Sequence, residues 1–423
     1  MTTTANKGGT TDRRRILLDT RPLRHAPYRR LWSSTIVTSV GSQLTAVAVP
    51  KQIYDMTGSS AWVGVASLVA LGPLVVFALW GGAIADTLDR RRLLLMTNSS
   101  MAVLMVLFWV QAALHLGSIP LLLALVGVQQ ALFGMNMPAR TASVARLVPI
   151  AELPAAVALN STVMQAGSIA GPLAAGVLIP VVGLPTLYLV DACALTAAIW
   201  AVWRLPALPP LNGEARRAGL RDVLNGFGYL ATHKLLLVSF LADIIAMVFG
   251  MPRALFPELA DIGYPGVGAD FALGLIFAAI PIGSLVGGLL SGTFSHVRRH
   301  GLMVLLSVCG WGLAIVGFGL SRSIWLAVVF LAFAGAMDMV SMVFRGTILQ
   351  AAATDDMRGR MQGVHTVVVV GGPRVADVAH GLFAPAAGAA AVTVGGGVLV
   401  VILTVALALA VPAFLNYQGV RRG

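Results

Sequence analysis

"GGAIADTLDRRR", residues 81–92, interrupts a chain that is otherwise close to hydrocarbon. Asp86 to Arg92 place two aspartates and three arginines within seven residues, between apolar runs that start at Ala61 and Leu93. Each flanking run is long enough to cross a bilayer, which takes about 20 mostly apolar residues. A short arginine-rich loop between two such runs reads as a topology signal, because Lys and Arg collect in the loops on one side of a membrane.

Composition agrees. The chain has 423 residues, 57% hydrophobic and 11% charged, against roughly 25% charged in soluble domains. That excludes a large soluble enzyme, and the length fits about twelve spans. A net charge of +12 would suit nucleic acid. The arginines, however, sit in short breaks between apolar runs, so the basic partner surface is the lipid bilayer and nucleic acid is excluded. Cys193 and Cys309 lie inside apolar runs without ligand spacing and read as packing residues. The lysines are Lys7, Lys51 and Lys234, none in a phosphate-binding loop. "HVRRH" (296–300) has no acid nearby and reads as a basic loop. The expectation is a non-enzyme with no metal and no cofactor.

The expected organisation is all-α and integral to the membrane, with twelve transmembrane helices in two six-helix bundles. Residues 1–30 form a basic N-terminal segment, whose following apolar run is a retained helix. Residues 31–203 form the first bundle, 204–234 a linker whose "LRDVLNGFGYLATHK" makes an amphipathic surface helix, 235–414 the second bundle and 415–423 a tail. Helix 7 is expected unbroken over 235–258. Helix 11 (361–385) is expected to break at "GGP" (371–373), since Gly and Pro free backbone carbonyls. One alternating set of breaks holds Arg90–Arg92, Arg146, Arg204, Arg216, Arg217, Arg221, Lys234, Arg298, Arg299, Arg358 and Arg360. The other holds little beyond Lys51, Arg253 and Arg322. The bias puts the first set and both termini in the cytoplasm.

From Gly82, the opening stretch spaces Gly82, Asp86, Arg90 and Arg91 as G-x-x-x-D-x-x-x-R-R. This resembles the signature loop between helices 2 and 3 of the major facilitator superfamily, whose outline is six plus six helices about a linker. Asp89 stands where many members carry glycine. The resemblance implies that Asp86 sits against the start of helix 11 and latches the cytoplasmic side. The equivalent "GGLLSGTFSHVRRHG" of the second half lacks the acid, so such a latch is one-sided.

Further stretches narrow the resemblance: "VAVPKQIYDMTGSSAWVG" (47–64), "LPALPP" (205–210), "RALFPELAD" (253–261), "LGLIFAAIPIGSLVGGLLSG" (273–292) and "GRMQGV" (359–364). They are similar to the drug:proton antiporter group, in the branch of the bacterial siderophore (enterobactin-type) exporters. The resemblance implies a multi-pass protein of the bacterial inner membrane, working as a monomer. It would export an amphiphilic small molecule, a siderophore such as a catecholate or drugs, by proton antiport and alternating access. Multidrug efflux without a siderophore role, and a non-transporting receptor or accessory protein of the same fold, are the alternatives. "GSIAGPLAAG" (167–176) resembles the antiporter motif of helix 5 at Gly167, Gly171, Pro172 and Gly176, with Ala175 replacing one glycine. Read on its own, it is equally a small-residue face for close helix packing.

Ionisable residues within spans are functional candidates by default. Asp243 falls in helix 7, Asp338 and Arg345 seven apart in helix 10, and Arg374, Asp377 and His380 in helix 11. They suggest one buried network, either coupling protons, with Asp243 and Asp338 the better candidates, or fixing helix packing. Gln43, Gln129, Asn136, Arg140, Asn160 and Gln165 are the first-half candidates for a substrate cavity. Trp32, Phe133, Phe249, Trp311 and Phe344 are aromatic residues that could wall it.

Overall fold

A computed structural model describes residues 19–209, 220–264, 266–294, 296–352 and 357–418; side chains at 79, 81–87, 220–224, 358–360, 362 and 366 lie outside the description. The first half holds α1 (Ala26–Thr57), α2 (Ser60–Thr87), α3 (Arg90–Ala113), α4 (Ile119–Leu147), α5 (Leu153–Val182) and α6 (Leu184–Trp203). The short α7 (Leu220–Thr232) leads into the second half, at the place expected of the surface helix. There follow α8 (Lys234–Phe249), α9 (Phe256–Gly263), α10 (Ala269–Leu289), α11 (Ser291–Phe294), α12 (His300–Leu320), α13 (Ile324–Ala352), α14 (Arg358–Ala387), α15 (Ala389–Ala410) and α16 (Pro412–Leu415).

Among the described residues, eleven helical segments are long and apolar enough to span a membrane. The twelfth, α1, runs for 32 residues but interrupts its apolar surface with Thr35, Thr38, Ser39, Ser42 and Gln43, which face a central cavity. Its polarity is the signature of a helix that lines water. Glycines set the closest approaches. A Cβ on Gly283 would collide with the Ala332 carbonyl oxygen, and one on Gly335 with that of Ile280, so α10 and α13 pack backbone to backbone. Large apolar side chains such as Val103, Leu313, Val329 and Leu409 stay exposed. In a span, that outward surface meets lipid.

Two expectations about helix continuity are corrected. Helix 7 is broken. α8 stops at Phe249, residues 250–252 are non-helical, Arg253–Leu255 form a 3₁₀ turn, and α9 resumes at Phe256. Helix 11, expected to break at Gly371–Pro373, runs unbroken as α14. A helical proline removes the bond to the carbonyl four residues earlier, here Val369, which lines the cavity, where water can serve it.

The loop ahead of α3 is built by Asp89. It is the N-cap at φ −59°, where no glycine is needed, and accepts from the amides of Arg91 (2.8 Å) and Arg92 (3.3 Å). Its second oxygen accepts from the Leu208 amide at 3.2 Å, which ties the loop to the chain leaving α6. Arg91 donates to the Trp203 carbonyl at 2.6 Å, and Arg90 to that of Ala142 at 3.4 Å. Gly82 and Asp86 lie in the stretch whose side chains are outside the description, so the latch stays an expectation.

Candidate functional site

The halves meet around a cavity of about 630 Å³. Thr35, Gln43, Gln129, Asn136, Arg140 and Asp191 line it from the first half, and Arg253, Phe277, Arg374 and Asp377 from the second. The wall is largely apolar with a few polar groups, the usual make-up of a small-molecule site. Of the aromatic candidates, Phe133 lines it. Trp311 and Phe344 are buried in packing, and Trp32 and Phe249 are not in the wall.

Arg140 projects into this space near the arginine-rich end. Its guanidinium donates to the Thr35 hydroxyl, and no carboxylate pairs with it among the described residues. Asn136 is held by the Thr97 hydroxyl at 2.7 Å and Asn98 at 2.9 Å. Gln165 bridges the halves instead, donating to the Pro281 carbonyl at 2.8 Å. Asn160, half-buried, is not part of the wall.

From mid-depth to the arginine-poor end, polar contacts cross between the halves. Lys51 of α1 reaches Asp270 at the start of α10 (3.1 Å) as well as Asp55 (2.8 Å). The Ser60 hydroxyl donates to Glu258 at 2.5 Å and that of Ser67 to Asp377 at 2.6 Å, while Arg374 donates to Gln130 at 3.0 Å. Backbones touch here too: a Cβ on Gly64 would fall 2.6 Å from the Asp377 carbonyl oxygen. The antiporter-like motif serves both sides of α5. Gly167 and Gly171 admit Ser39 and Gln43 of α1, and Gly176 admits Asp270 and Gly274 of α10.

The charges of the second half form two groups, not one. Asp243 and Arg345 are a buried ion pair, with Asp338 3.6 Å from the same guanidinium. The Asp338 side chain is 31% exposed, that of Asp243 2%. Beside the pair lies a void of about 10 Å³ that His365 also lines, room for about one water. Asp377 and Arg374 belong instead to the cavity and to the helix 7 break, where Asp377 also accepts from the Ala254 amide at 3.0 Å.

Several of these residues escaped the sequence reading. Asp191, buried in α6, accepts from Thr45 at 2.6 Å and lines the cavity. It was a lone acid in an apolar run, and its position in a span was the available signal. Gln130, Ser67 and the Lys51–Asp270 pair carried none, because only the packing of the halves brings them together.

The transmembrane secretion effector family model matches residues 19–418. The enterobactin exporters EntS of Shigella boydii serotype 18 and Escherichia coli O139:H28 are each 31% identical over 353 residues, 83% of this chain and 83% of theirs. Among solved structures, the nucleoside transporter NupG superposes with a TM-score of 0.71 at 12% identity, covering 93% of this chain and 100% of that one. A bacterial homologue of the human lysosomal transporter Spinster, solved inward-facing and unoccupied, gives 0.68 at 15% identity over 94% and 97%. The fold is that of the major facilitator transporters, and the protein is a multi-pass membrane transporter whose relatives carry small molecules.

Proposed function

Because the chain belongs to the transmembrane secretion effector family, we propose that it exports an acidic amphiphile, such as a catecholate siderophore, across the bacterial inner membrane in exchange for protons. The named function of the EntS relatives and the largely apolar cavity wall with a few polar groups both favour this substrate class. The single observation that carries it is Arg140. A guanidinium cannot shed its charge; that of Arg140 is part-buried on the cavity wall and no carboxylate among the described residues pairs with it, so an anionic ligand group is its natural partner. The positive-inside bias favours both termini in the cytoplasm. The Lys51, Ser60 and Ser67 contacts then form the periplasmic seal, and the cavity takes up substrate from the cytoplasmic side, with the protein working as a monomer.

Proton coupling rests on the triad. Arg345 holds Asp243 tightly, whereas Asp338 is looser and partly wet, which makes Asp338 the carrier and Asp243 its fixed neighbour. Asp338→Asn is expected to leave the protein folded and abolish pH-driven transport. Asp243→Asn leaves a buried arginine with a weaker partner and is expected to cut the folded yield as well.

The test is uptake into energised inverted vesicles. A catecholate siderophore should accumulate, lose accumulation on adding a protonophore, and fall about tenfold or more in Arg140→Gln, the worth of one buried charge-assisted contact. Equal transport of a cationic dye would support multidrug efflux, and transport of neither would support a receptor.

A further inference from the structure

His380 sits one turn beyond Asp377 on α14 and is 5% exposed. Its Nε2 lies 3.1 Å from the Phe249 carbonyl oxygen and its Nδ1 3.2 Å from that of Met251. Both partners are backbone carbonyls, which only accept. A neutral imidazole has one N–H and one bare lone pair, so in either tautomer one nitrogen would point its lone pair at an oxygen. Only the doubly protonated ring satisfies both contacts. The two carbonyls belong to the break between α8 and the 3₁₀ turn, and they are free because the helix stops there. The carbonyl between them, Gly250, is already taken by Trp311 Nε1 at 3.0 Å. Space for the ring is reserved on α15, where a Cβ on Gly396 would fall 2.9 Å from Nε2.

We propose that His380 is a proton-binding site of the helix 7 break, occupied while the arginine-poor end is sealed. One proton bound from water gives the ring its second N–H and lets it clamp both carbonyls. Its loss to water frees one carbonyl and loosens the join between α8 and α9. The clamp and the seal are the same piece of structure, because Asp377 holds Ala254 on the far side of the break and Ser67 of the first half. The titratable and charged groups on the elements packed around the ring are Arg358, Arg360, His365, Arg374 and Asp377 on α14, Arg253 in the 3₁₀ turn, Glu258 and Asp261 on α9, and Lys234 and Asp243 on α8; α15 and residues 60–78 of α2 carry none. The site deepens the proton-exchange reading, but it is observable without transport.

The experiment uses the full chain in lipid nanodiscs, with His25, His115, His233, His296, His300 and His365 replaced by Gln, so that His380 is the one histidine left. With nitrogen-15-labelled histidine at pH 7, the expected spectrum has both ring nitrogens protonated. One protonated and one bare nitrogen would overturn the site. A second reading replaces the native Cys193 and Cys309 by Ser and uses spin labels at His115→Cys and Arg322→Cys, on opposite halves of the arginine-poor end. The distance between them should lengthen as pH rises, and this dependence should vanish in His380→Gln, whose amide has no proton to gain or lose over this range. A dependence that survives in that variant would also overturn it. A doubly protonated ring in a protein without proton-driven efflux would keep the site and remove the transport reading.

Discussion

Two stretches of this chain read alike and fold differently. "GMP" (250–252) and "GGP" (371–373) both set glycine before proline in an apolar run. The first ends a helix and the second sits in the middle of one. The difference lies in what surrounds the carbonyls. At 249–251 each has a side-chain donor, Trp311 for one and His380 for the other two, and Asp377 takes the amide that restarts the chain. At 371–373 no such set is assembled among the described residues. The one carbonyl that Pro373 leaves unserved belongs to Val369, a residue of the cavity wall. Proline licenses a break, and buried donors from other helices make it worth keeping.

That contrast can be broken by substitution. The largest effect is expected from Asp377→Ala, which removes the acceptor for both Ala254 and Ser67. It should cost about 3 kcal/mol, two charge-assisted bonds less their solvation, and lower vesicle uptake tenfold or more. Gly250→Ala comes next. Its Cβ would collide with Trp311 Nε1 and fall 2.8 Å from the Ala246 carbonyl oxygen, an overpacking worth about 2 kcal/mol and visible as a lower melting temperature in detergent. Trp311→Phe keeps the ring but orphans the Gly250 carbonyl, at about 1–2 kcal/mol; an unchanged melt would mean that carbonyl has another partner. The smallest is Pro373→Ala, expected to stay within about 0.5 kcal/mol with uptake nearly unaltered. A loss as large as that of Gly250→Ala would show that the two junctions are equivalent after all.

The fold was legible because a bilayer imposes one rule, apolar runs with arginine on one side, and residues 81–92 obey it plainly. Breaks were not legible, since donors such as Trp311 and His380 lie about 60 and 130 residues from the carbonyls they serve. For the same reason Asp243, Asp338, Arg345, Arg374 and Asp377 read as one network, although helix packing separates them into two. Arg140, Gln43, Gln129 and Asn136 could be read because polar residues in a span need water or a ligand beside them. Gln165 meets the same need with a carbonyl of the opposite half, a partner that sequence spacing does not reveal.

The central claim is that the halves rock about the cavity while the Lys51–Asp270 and Ser67–Asp377 contacts open and close. It is tested most directly by double electron–electron resonance between labels at His115→Cys and Arg322→Cys in nanodiscs, with Cys193 and Cys309 replaced by Ser. The account predicts a short and a long population, with the long one growing when Lys51 is replaced by Ala. One distance, unchanged by that substitution, by pH and by added siderophore, would contradict it and leave a rigid protein that does not transport.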